Sequence, residues 1–133
     1  MILLIFNDGN LKALYRFEGN STDSKGANNG TDTSITYGAG TGKYGQGAGF
    51  NGTSSKIAIG SGAGVNPTPL LSFVAWVKIA DTAAVRVIIG GTTNNGSEWL
   101  IGTDEKQSLA KQGVATIGTS TSAIPVGSFQ HIA

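Results

Sequence analysis

Apolar residues in this chain recur at every second position in short runs, and residues that favour turns separate the runs. The clearest run is Leu71–Ile79, where one face carries five apolar side chains and the other carries Val74 and Trp76. The five are Leu71, Phe73, Ala75, Val77 and Ile79. A period of two is that of a β-strand. Because both faces carry apolar residues, the pattern predicts a central strand that is covered on each side.

Further short runs predict the remaining strands. They are Ala13–Glu18, Ile35–Tyr37, Lys56–Ile59, Val85–Ile89, Trp99–Ile101, Val114–Ile117 and Phe129–Ala133. Two prolines in the segment Gly60–Pro69 predict a loop. Asp104–Lys111 is predicted to be a loop with a short turn, and Asn95-Gly96 is a strong signal for a hairpin turn. Short strands broken by turns favour an all-β sandwich or barrel.

The amino-acid composition supports the same fold class and reduces the number of possible partner classes. Glycine accounts for 21 of the 133 residues, roughly twice its average share, and only 13% of residues are charged. This is typical of a β-protein rich in turns rather than of a helical one. The net charge is +1 without any basic block, which disfavours a nucleic-acid groove or an anionic membrane surface. The absence of cysteine excludes disulfides and thiolate metal sites.

The chain begins with an apolar stretch, Met1–Phe6, that lacks a basic flank and is followed at once by polar residues. It is too short for a secretory signal and far too short to span a bilayer. We therefore expect residues 1–10 to be either an extra strand or an artefact of the gene start, and we expect no membrane insertion.

Four segments of the chain, taken in order, resemble one known family. They are Leu14-Tyr15-Arg16-Phe17-Glu18-Gly19-Asn20, Gly42-Lys43-Tyr44-Gly45-Gln46-Gly47-Ala48-Gly49-Phe50-Asn51-Gly52, Leu71-Ser72-Phe73-Val74-Ala75-Trp76-Val77-Lys78 and Phe129-Gln130-His131-Ile132-Ala133. They are similar to the laminin-G-like, concanavalin A-like lectin/glucanase superfamily. The resemblance implies an antiparallel β-sandwich of the jelly-roll kind over residues 11–133, with Phe50 buried. It also implies that this stretch is the N-terminal part of such a domain, because the strands that follow in the family have no counterpart here.

The two tryptophans are assigned different roles. Trp99 follows the predicted turn at the edge of a strand, where an exposed indole can stack on a sugar ring. Trp99, Asn94 and Asn95 are therefore the candidate glycan-binding residues. The alternative is that Trp99 packs inward as the anchor of its strand, which the resemblance favours. Trp76, in the middle of its strand, is expected in the core.

One loop gathers candidate metal ligands. Glu18, Asn20 and Asp23 carry oxygen atoms of the kind that Ca²⁺ prefers. The resemblance points the same way, because many members of the superfamily bind a structural calcium ion. The alternative is that the Asp and Asn side chains form Asx turns.

Few residues in the chain could act as catalytic groups. His131 is the only histidine and cysteine is absent, so neither a catalytic triad nor a multi-histidine metal site can be built. The G-x-G-x-x-G pattern at Gly40–Gly45 is typical of dinucleotide sites only when a helix follows, and residues 46–49 cannot sustain one. The Glu-x-Asp-x-Glu strand of some enzymes in the resembled superfamily is also missing. We therefore expect no enzymatic activity; any glycoside chemistry would reside in a parent protein.

Together these observations predict a non-catalytic, lectin-like module that binds a glycan or polysaccharide within a larger surface or secreted protein. The alternative is a structural or adhesive component of a phage or another extracellular assembly, because jelly rolls host both roles. Either function places the chain outside the cell, at a cell surface or on a virion. The incomplete jelly roll also predicts self-association through an open sheet edge at Phe129–Ala133.

Overall fold

The computed structural model describes residues 11–60, 72–91, 97–111 and 115–133. These residues form ten β-strands and no helix, so the described chain contains no helix that is long and apolar enough to cross a membrane. The chain divides into two compact units, Met1–Phe73 and Val74–Ala133. The all-β prediction is confirmed for the described residues. The predictions for residues 1–10, for most of the loop 60–69, and for Leu71, Asn94 and Asn95 lie outside them.

The first unit contains two small antiparallel sheets. Strand β1 (Thr31–Thr33) pairs with β4 (Lys56–Ala58), and β2 (Thr36–Ala39) pairs with β3 (Gln46–Gly49). The predicted strands at residues 35–37 and 56–59 correspond to β2 and β4. Strands β2 and β3 are consecutive in the chain, so the glycine-rich segment between them closes a hairpin.

That hairpin depends on glycine for two physical reasons. Gly40 and Gly45 have positive φ angles of 89° and 69°, a conformation that other residues rarely adopt. Elsewhere the backbone approaches itself: a Cβ atom on Gly42 would lie 2.1 Å from the carbonyl oxygen of Gln46. A Cβ atom on Gly47 would lie 2.4 Å from another carbonyl oxygen. The G-x-G-x-x-G pattern therefore serves a tight turn between two strands.

The second unit contains a two-stranded and a four-stranded antiparallel sheet. Strand β5 (Ala75–Val77) pairs with β10 (Gln130–Ile132). The four-stranded sheet follows chain order, and its strands are β6 (Arg86–Gly90), β7 (Ser97–Ile101), β8 (Lys106–Lys111) and β9 (Ala115–Ala123). It is therefore a meander in which each strand pairs with its neighbour in the sequence.

Burial along β5 and its flanks alternates as the apolar pattern predicts. Ala75 and Val77 are half-buried and Ile79 is buried, while the side chains between them are exposed. The prediction that both faces are covered is wrong, because Val74 is 57% and Trp76 44% exposed. The buried apolar residues of the described chain all belong to this unit, and they are Ile79, Trp99, Ile101, Ile124 and Ile132.

Residues 13–18 are not the strand that alternation predicts. Their β-pairing is a single antiparallel bridge between Tyr15 and Asp23. The extended backbone ends at Phe17, whose φ angle is +57°. Tyr15 and Phe17 still lie on the same side, with rings stacked at a centroid distance of 6.0 Å. Phe50, which the resemblance implies to be buried, is 55% exposed because it lies just beyond the end of β3.

The prediction of a loop over Asp104–Lys111 is also wrong. Strand β8 occupies Lys106–Lys111 and pairs on both sides, with β7 and with β9. The turn that precedes it is short: Glu105 donates its N–H to the carbonyl of Gly102 at 3.1 Å, and Gly102 donates to Lys106 at 2.8 Å. Because charged residues surround this turn, the apolar alternation that would predict the following strand is not apparent in the sequence.

Candidate functional site

The first candidate site is the loop around Asp23, a residue that is only 4% exposed. Its Oδ1 accepts hydrogen bonds from the backbone N–H groups of Leu14 and Lys25, both at 2.9 Å. Its Oδ2 accepts from the backbone and the side-chain amide of Asn28, each at 3.3 Å. One side chain thus adds to the single backbone bridge, Tyr15 to Asp23, that joins these two stretches of chain.

This environment controls the charge on Asp23. Burial raises the pKa of its carboxyl, but hydrogen bonds from the backbone N–H groups of Leu14, Lys25, Gly26 and Asn28 lower it and prevail, bringing the pKa to about 2. Asp23 is therefore ionised throughout the physiological range. Burial also raises the pKa of the nearby Tyr15 phenol, and the charge on Asp23 adds to this effect.

The three predicted calcium ligands each face an N–H donor. Besides Asp23, the Oε2 of Glu18 accepts from the backbone of Gln46 at 3.1 Å, and the Oδ1 of Asn20 accepts from Thr22 at 2.9 Å. In the described ranges, no three acidic, histidine or cysteine side chains are placed to hold a metal ion. The contact of Asn20 is an Asx turn, so the geometry fits the turn-forming alternative. Calcium binding stays a prediction.

Trp99 is buried, at 6% exposure, so the prediction of an exposed indole is wrong. Strand β7 lies between β6 and β8, with Trp99 opposite Ile89 on one side and Leu109 on the other. Its Nε1–H donates to the Oε1 of Gln107 at 3.1 Å. The structure therefore shows the inward alternative: the ring packs in the sheet and its polar atom is satisfied within the protein.

Trp76 has the exposure that was predicted for Trp99. It lies on the outer side of β5 and is 44% exposed. Its partner in the ladder is His131 of β10, and the two rings contact at a centroid distance of 5.2 Å and an angle of 59°. The indole thus contacts His131 while part of its surface remains exposed to solvent.

The residues just beyond the end of this ladder continue the surface. The ammonium of Lys78 lies over the ring of Phe129, with its Nζ 4.9 Å from the ring centroid. Lys78 is exposed and Phe129 half-buried. We call the surface formed by Trp76, Lys78, Phe129 and His131 the aromatic face. It combines a partly exposed indole, an imidazole and an ammonium group at alternate positions along the two strands.

Sequence reasoning missed the aromatic face, although one signal for it exists. On the side of the strand that carries Trp76, Ser72 and Lys78 flank the apolar residues, whereas the other side is apolar without interruption up to Ile79. Polar flanks indicate the solvent side of a strand. The pairing of Trp76 with His131 carries no local signal, because the two lie far apart in the sequence.

An arrangement of this kind binds planar or ring-shaped ligands by stacking and directs them by hydrogen bonds at the rim. It offers no nucleophile with an adjacent base. Its interpretation depends on its own chemistry, because comparison of the chain with protein-family models, with curated proteins and with solved structures finds no match.

Proposed function

We propose that this chain is a non-catalytic glycan-binding module and that the glycan stacks on the aromatic face. The observation that carries the proposal is the exposure of Trp76 on the outer side of β5, where its ring packs against His131. A large indole that is ordered by packing and partly exposed to solvent presents an apolar surface at little entropic cost. Sugar rings have apolar faces of matching shape, with hydroxyl groups at the rim.

The finer fold belongs to the same proposal. We propose a jelly-roll sandwich of the concanavalin A-like lectin type, within a larger surface or secreted protein. The support is that β5 and β10, which form the aromatic face, lie in two of the four segments that carry the resemblance. The antiparallel pairing of all four sheets in the described residues is also what such a fold requires.

A role as a structural or adhesive part of a phage or other extracellular assembly is the second candidate. Val85 and Val87, in and beside the outer strand β6 of the meander, are 51% and 56% exposed. Exposed apolar side chains of this kind are typical of surfaces that contact another protein. Light scattering over a dilution series tests an assembly of identical copies and the predicted self-association through Phe129–Ala133, because either raises the molar mass above that of one chain.

The experiment for glycan binding is affinity electrophoresis in gels that contain a panel of soluble polysaccharides, with three proteins compared. The unmodified protein is expected to be retarded by at least one polysaccharide. In Trp76→Ala, loss of about 50 Å² of stacked ring surface corresponds to roughly 1.3 kcal/mol, or about tenfold in Kd. Val87→Ala removes an exposed apolar side chain from β6 and is expected to bind normally.

Two results would contradict the glycan proposal. The first is that the folded protein is not retarded by any polysaccharide of the panel. The second is that Trp76→Ala binds as tightly as the unmodified protein, because the aromatic face would then not be the site. Circular dichroism spectra of each variant establish that the comparison is made between folded proteins.

A further inference from the structure

The aromatic face carries a positive charge at a defined place. Lys78 follows Trp76 by two positions, so both side chains leave the strand on the same side, with Cα atoms about 6.6 Å apart. The ammonium of Lys78 is held over the ring of Phe129 at 4.9 Å from its centroid. A cation–π contact of this kind orders the side chain without neutralising its charge.

The described residues of the aromatic face include no acidic side chain. Asp81, an acid close in sequence, is engaged in an ion pair with Arg86. Lys78 has no carboxylate partner within the described part of the chain. The face therefore presents one cation whose counter-charge is supplied by solvent ions or by a ligand.

We infer that the aromatic face selects anionic polysaccharides, in which a sugar ring stacks on Trp76 and its carboxylate or sulfate group binds the ammonium of Lys78. The inference rests on the proposed glycan-binding function and names its ligand class. The separation along the strand matches a sugar ring that carries its anionic group at the rim. An exposed ammonium–anion contact strengthens binding modestly, by roughly three- to tenfold when a charged hydrogen bond forms.

The experiment uses two pairs of polysaccharides that differ in charge but share a backbone. Polygalacturonate is compared with its fully methyl-esterified form, and dextran sulfate is compared with dextran. The unmodified protein is expected to bind the charged member of at least one pair about three- to tenfold more tightly. Half-molar salt is expected to remove most of this preference, because exposed charges are screened. The pair that shows the preference distinguishes a carboxylate ligand from a sulfate ligand.

Three variants locate the preference. Lys78→Gln is expected to bind the charged and neutral members of a pair equally, while Lys78→Arg retains the preference. Lys56→Gln removes the same charge from an exposed position on β4 and is expected to behave as the unmodified protein does. A preference that survives in Lys78→Gln would overturn the inference, because another cation would then be responsible.

The remaining outcomes separate this inference from the proposed function. Equal binding of charged and neutral polysaccharides, lost in Trp76→Ala, would overturn the anionic preference and leave glycan binding standing. Absence of binding to all four polysaccharides and to the wider panel would overturn both.

Discussion

Replacing Asp23 by Asn tests whether one buried carboxylate holds the first unit together. The carboxylate accepts hydrogen bonds from the backbone of Leu14, Lys25 and Asn28 on both of its oxygens. An asparagine has one acceptor oxygen, and its amide nitrogen would face an N–H donor. The substitution therefore removes the charge and leaves at least one buried donor unsatisfied.

The size of the effect follows from the pKa. The ordinary pKa of 3.8 is lowered to about 2 in the folded protein, which corresponds to roughly 2 kcal/mol of stability. Because the folded-state pKa is the lower one, this contribution is fully present above about pH 4 and is lost as the pH falls towards 2. The unsatisfied donor adds about 1 kcal/mol or more. We expect Asp23→Asn to lose about 3 kcal/mol at pH 7, a large part of the stability of a small domain.

The assay is urea unfolding followed by circular dichroism at several pH values from 7 to 2. The free energy of unfolding of the unmodified protein is expected to fall by about 2 kcal/mol more than that of Asp23→Asn between pH 5 and pH 2. Asp32→Asn is the matched control, because Asp32 is exposed and accepts one hydrogen bond, from the hydroxyl of Tyr37 at 2.7 Å. Equal stabilities at pH 7, or parallel pH profiles for the protein and Asp23→Asn, would refute the reasoning.

Three further predictions concern the tryptophans, the glycine hairpin and calcium. Trp99→Ala is expected to lower the free energy of unfolding by about 3–5 kcal/mol and Trp76→Ala by about half as much, since Trp76 is 44% and Trp99 6% exposed; equal losses in thermal or urea unfolding would contradict this. Gly47→Ala is expected to lower the free energy of unfolding by about 1–3 kcal/mol, because the added methyl group would overlap a backbone oxygen 2.4 Å away. An unchanged melting temperature would show that the hairpin backbone can shift to accommodate the methyl group. Isothermal titration with calcium is expected to show weak or no binding, because N–H donors already occupy both carboxylate oxygens of Asp23. A submicromolar site that Asp23→Asn abolishes would instead establish the predicted metal site.

The strand content could be predicted because it depends on local alternation. The residues from Val74 to Ile79 alternate between exposed and buried as the apolar pattern requires. Alternation alone does not say which face of a strand is exposed to solvent. For this reason Trp76, predicted to be buried, is exposed, and Trp99, predicted to be exposed, is buried. Trp99 lies on β7, which pairs with β6 on one side and β8 on the other, and the sequence pattern predicts a loop where β8 lies.

The loop around Asp23 shows a second limit. An Asx turn at Asn20 is a local feature and could be proposed from sequence, as an alternative to calcium binding. The contacts that bury Asp23 involve Leu14, which precedes it by nine residues, and the bridge to Tyr15. Such contacts depend on the path of the backbone, for which neither alternation nor turn chemistry gives a rule.

The pairing of β5 with β10 has a consequence for the order in which the second unit folds. The four strands of the meander pair with sequence neighbours, so they close short loops and can form early. Strands β5 and β10 enclose the whole meander between them, and joining them requires the longest loop closure in the unit. We expect their amides to exchange with solvent faster than those of β7 and β8, through partial opening of the native state.

The aromatic face therefore exists only while β5 and β10 are paired, since Trp76 lies on one of these strands and His131 on the other. A ligand that stacks across both strands binds only when they are paired. Its binding therefore raises the free energy of opening and slows amide exchange in both strands. Hydrogen exchange at β5 and β10 would thus report occupancy of the face at the two strands that form it.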